Sequence, residues 1–148
     1  RMMYVFDLEP VHHCVHSKDN ETISAVVGSL ENGEAFICSE TSNTLKEMDN
    51  ADRDFVRQLP KEATLLASDD DHECTALVAR KINGFNGFRR LSANQRQRYV
   101  MMLAKAIRMG ATLVFYEPQQ RRFSISQACE CLEIPCMSMS AFVAAYIE

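Results

Sequence analysis

The sequence predicts a single α/β domain over residues 1–148, with a central, mostly parallel sheet flanked by helices. Three observations point to it. Two short, unbroken apolar runs, Met3-Tyr4-Val5-Phe6 and Ala111-Thr112-Leu113-Val114-Phe115-Tyr116, read as strands buried on both faces. Stretches with apolar residues at helical spacing lie between runs of this kind, and that alternation is what a parallel sheet covered by helices requires. Each of the two runs also ends on an acid, Asp7 and Glu117. The carboxyl ends of strands are where open α/β sheets bind ligands.

Taken in order, the strand Met3–Asp7 leads into Pro10 and a His-rich segment. Ile23, Val26, Val27 and Leu30 recur at helical spacing, and Asn32-Gly33 stops that helix. Ala35-Phe36-Ile37-Cys38 is the next strand. Ser39 or Ser42 is the expected cap of a helix through Leu45 and Met48, and a second helical stretch carries Phe55, Val56 and Leu59 up to Pro60. Ala63–Ala67 is a strand or an extended segment. Ser68-Asp69-Asp70-Asp71 then opens a helix with Cys74, Leu77, Val78 and Ile82 on one face; acids in a first turn complement the helix dipole. Ser92 and Gln95 form a capping box for a helix that carries Tyr99, Met102, Leu103, Ala106 and Ile107 inward and ends at Gly110. After the strand to Tyr116 come a short helix through Ala128, Cys129 and Leu132, a brief strand Pro135-Cys136-Met137, and a last helix capped by Ser140.

The 148 residues, 47% hydrophobic and 24% charged, suffice for one core. No apolar stretch approaches the ~20 residues of a membrane span. Arg1-Met2-Met3 lacks a signal-peptide pattern, so a cytoplasmic setting with six reduced cysteines is the expectation. The net charge of −4 conceals a partition. Residues 1–79 hold sixteen acids against six Lys or Arg, whereas residues 80–122 hold ten Lys or Arg and a single acid, Glu117. Such a block forms a phosphate-binding face, docks on the chain's own acidic half, or merely solvates a helix. Arg89, Arg90, Arg96, Arg121 and Arg122 are the candidate nucleic-acid contacts. In Asn83-Gly84-Phe85-Asn86-Gly87-Phe88-Arg89-Arg90, the two rings either stack on bases or anchor the loop to the core.

Other groupings carry less. His12 and His16 would share a helix face, a spacing that suits Zn²⁺, but no second ligand pair is evident in the sequence. His72-Glu73-Cys74 opens like a zinc deaminase motif, and the P-C-x-x-C half is missing.

Tyr4-Val5-Phe6-Asp7, the helix and glycine of Ala104–Gly110 followed by Ala111-Thr112-Leu113-Val114-Phe115-Tyr116-Glu117, and the late Ala128-Cys129-Glu130-Cys131-Leu132-Glu133-Ile134-Pro135-Cys136-Met137-Ser138 resemble, in order and spacing, the anchors of the PIN domain family. That family includes metal-dependent nucleases and many prokaryotic toxins. The resemblance spans nearly the whole chain. It implies a Mg²⁺ or Mn²⁺ site built by acids from four regions, with Asp7 and Glu117 as metal ligands and catalytic residues. At the second acidic position stands Thr44, with Glu40 and Glu47 one turn to either side as substitutes if the register shifts. At the third, counting back from Phe115, stands Tyr99.

The resemblance thus implies one of two functions. The first is a divalent-metal endoribonuclease of toxin type, with an antitoxin-like protein partner. The second is a catalytically inactive module that binds RNA, single-stranded nucleic acid or a protein. A homodimer is compatible with either.

Overall fold

The computed structural model describes residues 2–117 and 123–147. Among these residues five short strands form one all-parallel sheet: β1 (Tyr4–Phe6), β2 (Ala35–Cys38), β3 (Thr64–Leu65), β4 (Thr112–Phe115) and β5 (Cys136–Ser138), in the order β3-β2-β1-β4-β5. The chain builds outward from β1 through β2 to β3, then returns to the other side of β1 with β4 and β5. The strand order therefore reverses between β1 and β4, the place where a crevice opens beyond the carboxyl ends of such a sheet.

Among the described residues eight α-helices cover the two faces: α1 (Leu8–Val15), α2 (Asn20–Glu31), α3 (Ser39–Met48), α4 (Asn50–Gln58), α5 (His72–Ile82), α6 (Ala93–Met109), α7 (Ile125–Cys131) and α8 (Met139–Tyr146). Side chains alternate across the strands, so one face takes Val5, Leu113 and Phe115 into a core with Val78, Ile82, Met102 and Leu103. The other takes Phe6, Ile37 and Val114 into a core with Val11, Val26, Leu30, Leu45 and Phe142. Every residue of β4 is buried, as an unbroken apolar run in a central strand demands.

The helix boundaries follow local chemistry. The capping box of Ser92 and Gln95 forms, and Gly110 closes α6 at φ +61°, a left-handed turn that glycine takes without a side-chain clash. Two expected caps move. Cys38, not Ser39 or Ser42, stands at the start of α3, because β2 runs straight into the helix and leaves no loop for a capping hydroxyl. Ser138, the last residue of β5, caps α8 from the strand, so Ser140 falls inside the helix. Among the described residues no helix is long and apolar enough to cross a membrane.

Candidate functional site

Asp7 follows β1 directly, and its backbone N–H still bonds to Val114 of β4. It is the N-cap of α1. Its Oδ1 accepts the Leu8 N–H at 2.7 Å and, from the opposite direction in sequence, the Nη1 of Arg98 at 2.9 Å. Both side chains of the pair are buried, at 9% exposure for Asp7 and 4% for Arg98. Burial is the largest influence on the carboxyl and raises its pKa; the Arg98 charge and the Leu8 N–H oppose that rise without cancelling it. The guanidinium also lies over the Tyr99 ring, 4.6 Å from its centre.

Counting back from Phe115 sets Tyr99 at the position of a third acid. Tyr99 turns into the core beside Phe123, whereas its neighbour Arg98 faces Asp7. One helical position is ~100° of rotation, so adjacent residues of α6 turn one to the core and the other to the crevice.

Two turns further along α6, Lys105 lies on the same side and reaches a second buried acid. Its Nζ sits 2.8 Å from Asp71 Oδ2, and Arg108 Nη1 sits 2.6 Å from Asp71 Oδ1. Asp71 also closes a capping box with Ser68 in the short 3₁₀ turn Asp69–Asp71 ahead of α5. Burial pushes the Asp71 pKa up, but the hydrogen bonds from Lys105, Arg108 and the Ser68 N–H prevail and bring it to about 2. At the end of β2, Cys38 is pushed up to about 12, by burial first and then by Glu40. The Lys105 charge opposes that rise, while Asp71 and Asp7 add to it.

The remaining candidates sit as follows. Glu40, half-buried in the first turn of α3, accepts the Ser39 hydroxyl at 3.2 Å. Glu47 is exposed near the end of α3, and Thr44 gives its hydroxyl to the Glu40 carbonyl. Glu117 is exposed just beyond β4, on a groove of about 590 Å³ shared with His13, His16, Tyr116 and Met139. There the His13 ring stacks on Tyr116 at 3.6 Å.

Of the basic candidates, Arg96 is spent internally on the Arg89 and Leu91 carbonyls, where it latches the loop before α6. Arg89 and Arg90 are exposed, and Arg121 and Arg122 lie outside the described residues. Phe88 is buried against Phe123 and Phe85 is half-buried, so both rings anchor their loop.

The chain matches a solved structure of comparable length, VapBC2 from Rickettsia felis bound to a DNA fragment from their promoter. The identity is 11%, the TM-score 0.61, and the match covers 93% of this chain and 98% of that one. The fold is PIN-like. No protein-family model matches the sequence, and no curated protein matches it.

Within this PIN-like frame the residues that sequence reasoning missed are the cations. Arg98 and Lys105 are seven apart on a helix whose neighbouring positions, Tyr99, Ala104 and Ala106, are all buried. A basic residue set among inward-facing apolar ones was the available signal.

Proposed function

We propose that this is a PIN-like domain of the ribonuclease-toxin lineage in which an internal arginine has replaced the catalytic cation, and that it binds single-stranded nucleic acid without cutting it. The buried Arg98–Asp7 pair carries this reading. A divalent cation at a nuclease site needs oxygen ligands with open lone pairs and no competing positive charge. Asp7 Oδ1 already accepts two donors, one of them cationic, and the side of α6 that faces it presents Arg98 and Lys105 in place of acids. These residues do not fit Mg²⁺ or Mn²⁺. Glu40, Glu47 and Glu117 remain as carboxylates, but none of them removes the guanidinium from Asp7.

The binding half of the proposal rests on what the internal pairs leave over. Lys105, Arg108 and Arg96 are engaged within the chain, whereas Arg80 and Lys81 at the end of α5 and Arg89 and Arg90 in the following loop are exposed. No acid interrupts the sequence from residue 80 to 116. The structural neighbour belongs to a complex bound to DNA, which is compatible with a nucleic-acid role for this fold.

Fluorescence anisotropy with labelled single-stranded RNA tests the binding. Affinity should be modest, weakly dependent on sequence, and should fall with salt. Replacing both Arg89 and Arg90 by Ala should lower the slope of log affinity against log salt by about 1.4, at roughly 0.7 per phosphate contact. RNA cleavage that requires Mn²⁺ and is lost in both Asp7→Asn and Glu117→Gln would overturn the silent-site reading. Absence of any binding at low salt would leave the basic loop as a protein-docking surface.

A further inference from the structure

Two helices bring a second constellation together, at the far end of α1 from Asp7. His12 and His16 come from the last turn and C-cap of α1, and Asp49 and Asp52 from the N-cap and first turn of α4. Each of the four offers a ligand atom, and these atoms all lie within 4.8 Å of one another. His12 Nδ1 is 2.9 Å from Asp52 Oδ2, and His16 Nε2 is 2.9 Å from Asp49 Oδ2.

Two imidazole–carboxylate pairs would need nothing more if they satisfied every atom. They do not. Asp52 is wholly buried, and its Oδ1 has no hydrogen-bond partner. That oxygen looks toward His16 Nε2 across 3.7 Å, too far for a hydrogen bond. A buried carboxylate oxygen in this state calls for a positive partner.

We propose that His12, His16, Asp49 and Asp52 form a Zn²⁺ site that ties α1 to α4. Imidazole nitrogen with carboxylate oxygen suits Zn²⁺, whereas Mg²⁺ takes oxygen ligands in a strict octahedron and retains waters. Tetrahedral coordination sets ligand atoms ~3.3 Å apart. The observed spread closes by a small rotation of His16, whose side chain is 43% exposed. Asp49 is already oriented, because its Oδ1 accepts the Asp52 N–H at 2.8 Å while Oδ2 faces the imidazole. Four protein ligands leave no open coordination position, which makes the site a clamp and not a catalytic centre. The sequence showed only the first pair of ligands; the second lies on a helix that begins more than thirty residues later.

The test uses the full chain, stripped by chelator and titrated calorimetrically with Zn²⁺ alone in excess Mg²⁺. Binding of about one Zn²⁺ per chain, tighter than micromolar, is expected, with a rise in melting temperature and a tetrahedral visible spectrum when Co²⁺ is substituted. His16→Gln, at an exposed position, should weaken binding by at least about 100-fold, as should Asp49→Asn. Asp52→Asn should abolish the Co²⁺ spectrum. Three results would each overturn the proposal: no stoichiometric Zn²⁺ binding at micromolar concentrations, binding that survives both His16→Gln and Asp49→Asn, or binding that disappears only when the cysteines are alkylated.

Discussion

Replacing Arg98 by Met removes the guanidinium while keeping most of its apolar stem, and it isolates the charge that faces Asp7. The two charge centres are roughly 4 Å apart, which at an effective dielectric constant of about 20 corresponds to ~4 kcal/mol. Breaking a buried pair by removing one partner costs about 3–5 kcal/mol, in the same range. For a chain of this size each kcal/mol moves the melting temperature by about 2–4 °C, so a fall of about 6–20 °C is expected near neutral pH.

The pH dependence has a definite sign. Asp7 has a folded-state pKa above its ordinary value, so its favourable contribution is present below about pH 3.8 and is lost as pH rises through the folded value. Loss of Arg98 removes the strongest opposing influence and raises that value further. The deficit of Arg98→Met should therefore be largest near pH 7 and shrink as the solution is acidified. Urea unfolding at several pH values measures it directly. Adding Asp7→Asn, which keeps a capping side chain, should return at least half of the loss. An Arg98→Met protein within about 1 kcal/mol of wild type, with an unchanged pH profile, would refute the claim that the pair is buried and coupled.

Other outcomes follow from the same chemistry. Asp71, held at about pKa 2, contributes stability that is present above the ordinary carboxyl range and is lost as pH falls from about 4 toward 2; Asp71→Asn should flatten that limb of an acid-unfolding curve. Thiol labelling at neutral pH should modify exposed Cys131 first, while Cys14, Cys38 and Cys129, buried and with raised pKa values, react only on unfolding. Gly110→Ala should cost about 1–2 kcal/mol through its left-handed φ alone, since no atom beyond the adjoining chain stands within 4 Å of the added methyl; thermal melting reads it out.

The parts of the fold that the sequence announced are those set by nearby residues. The runs around Val5 and Leu113 had to be buried strands, and Ser92 with Gln95 and then Gly110 fixed both ends of α6 from contacts within a single turn. The candidate site was legible only in part. Asp7 could be placed at a strand end, but the pairing that defines its chemistry joins residues 91 positions apart, on a helix whose rotation counting fixes no better than one residue. Arg98 and Tyr99 are both buried, so burial did not distinguish them. Asp52 lies four residues before buried Val56, which puts an acid on the inner side of α4; the apolar residues of that helix gave no hint that two histidines awaited it.

An aspartate that begins a helix and also holds an arginine is fixed by the fold itself. Losing Asp7 would unfasten the start of α1 from β1 and leave Arg98 charged and unpaired in the interior. Asp7 therefore serves as architecture: the same carboxylate oxygen starts a helix and ties that helix across the crevice to α6, with the guanidinium standing where an ion would have to enter.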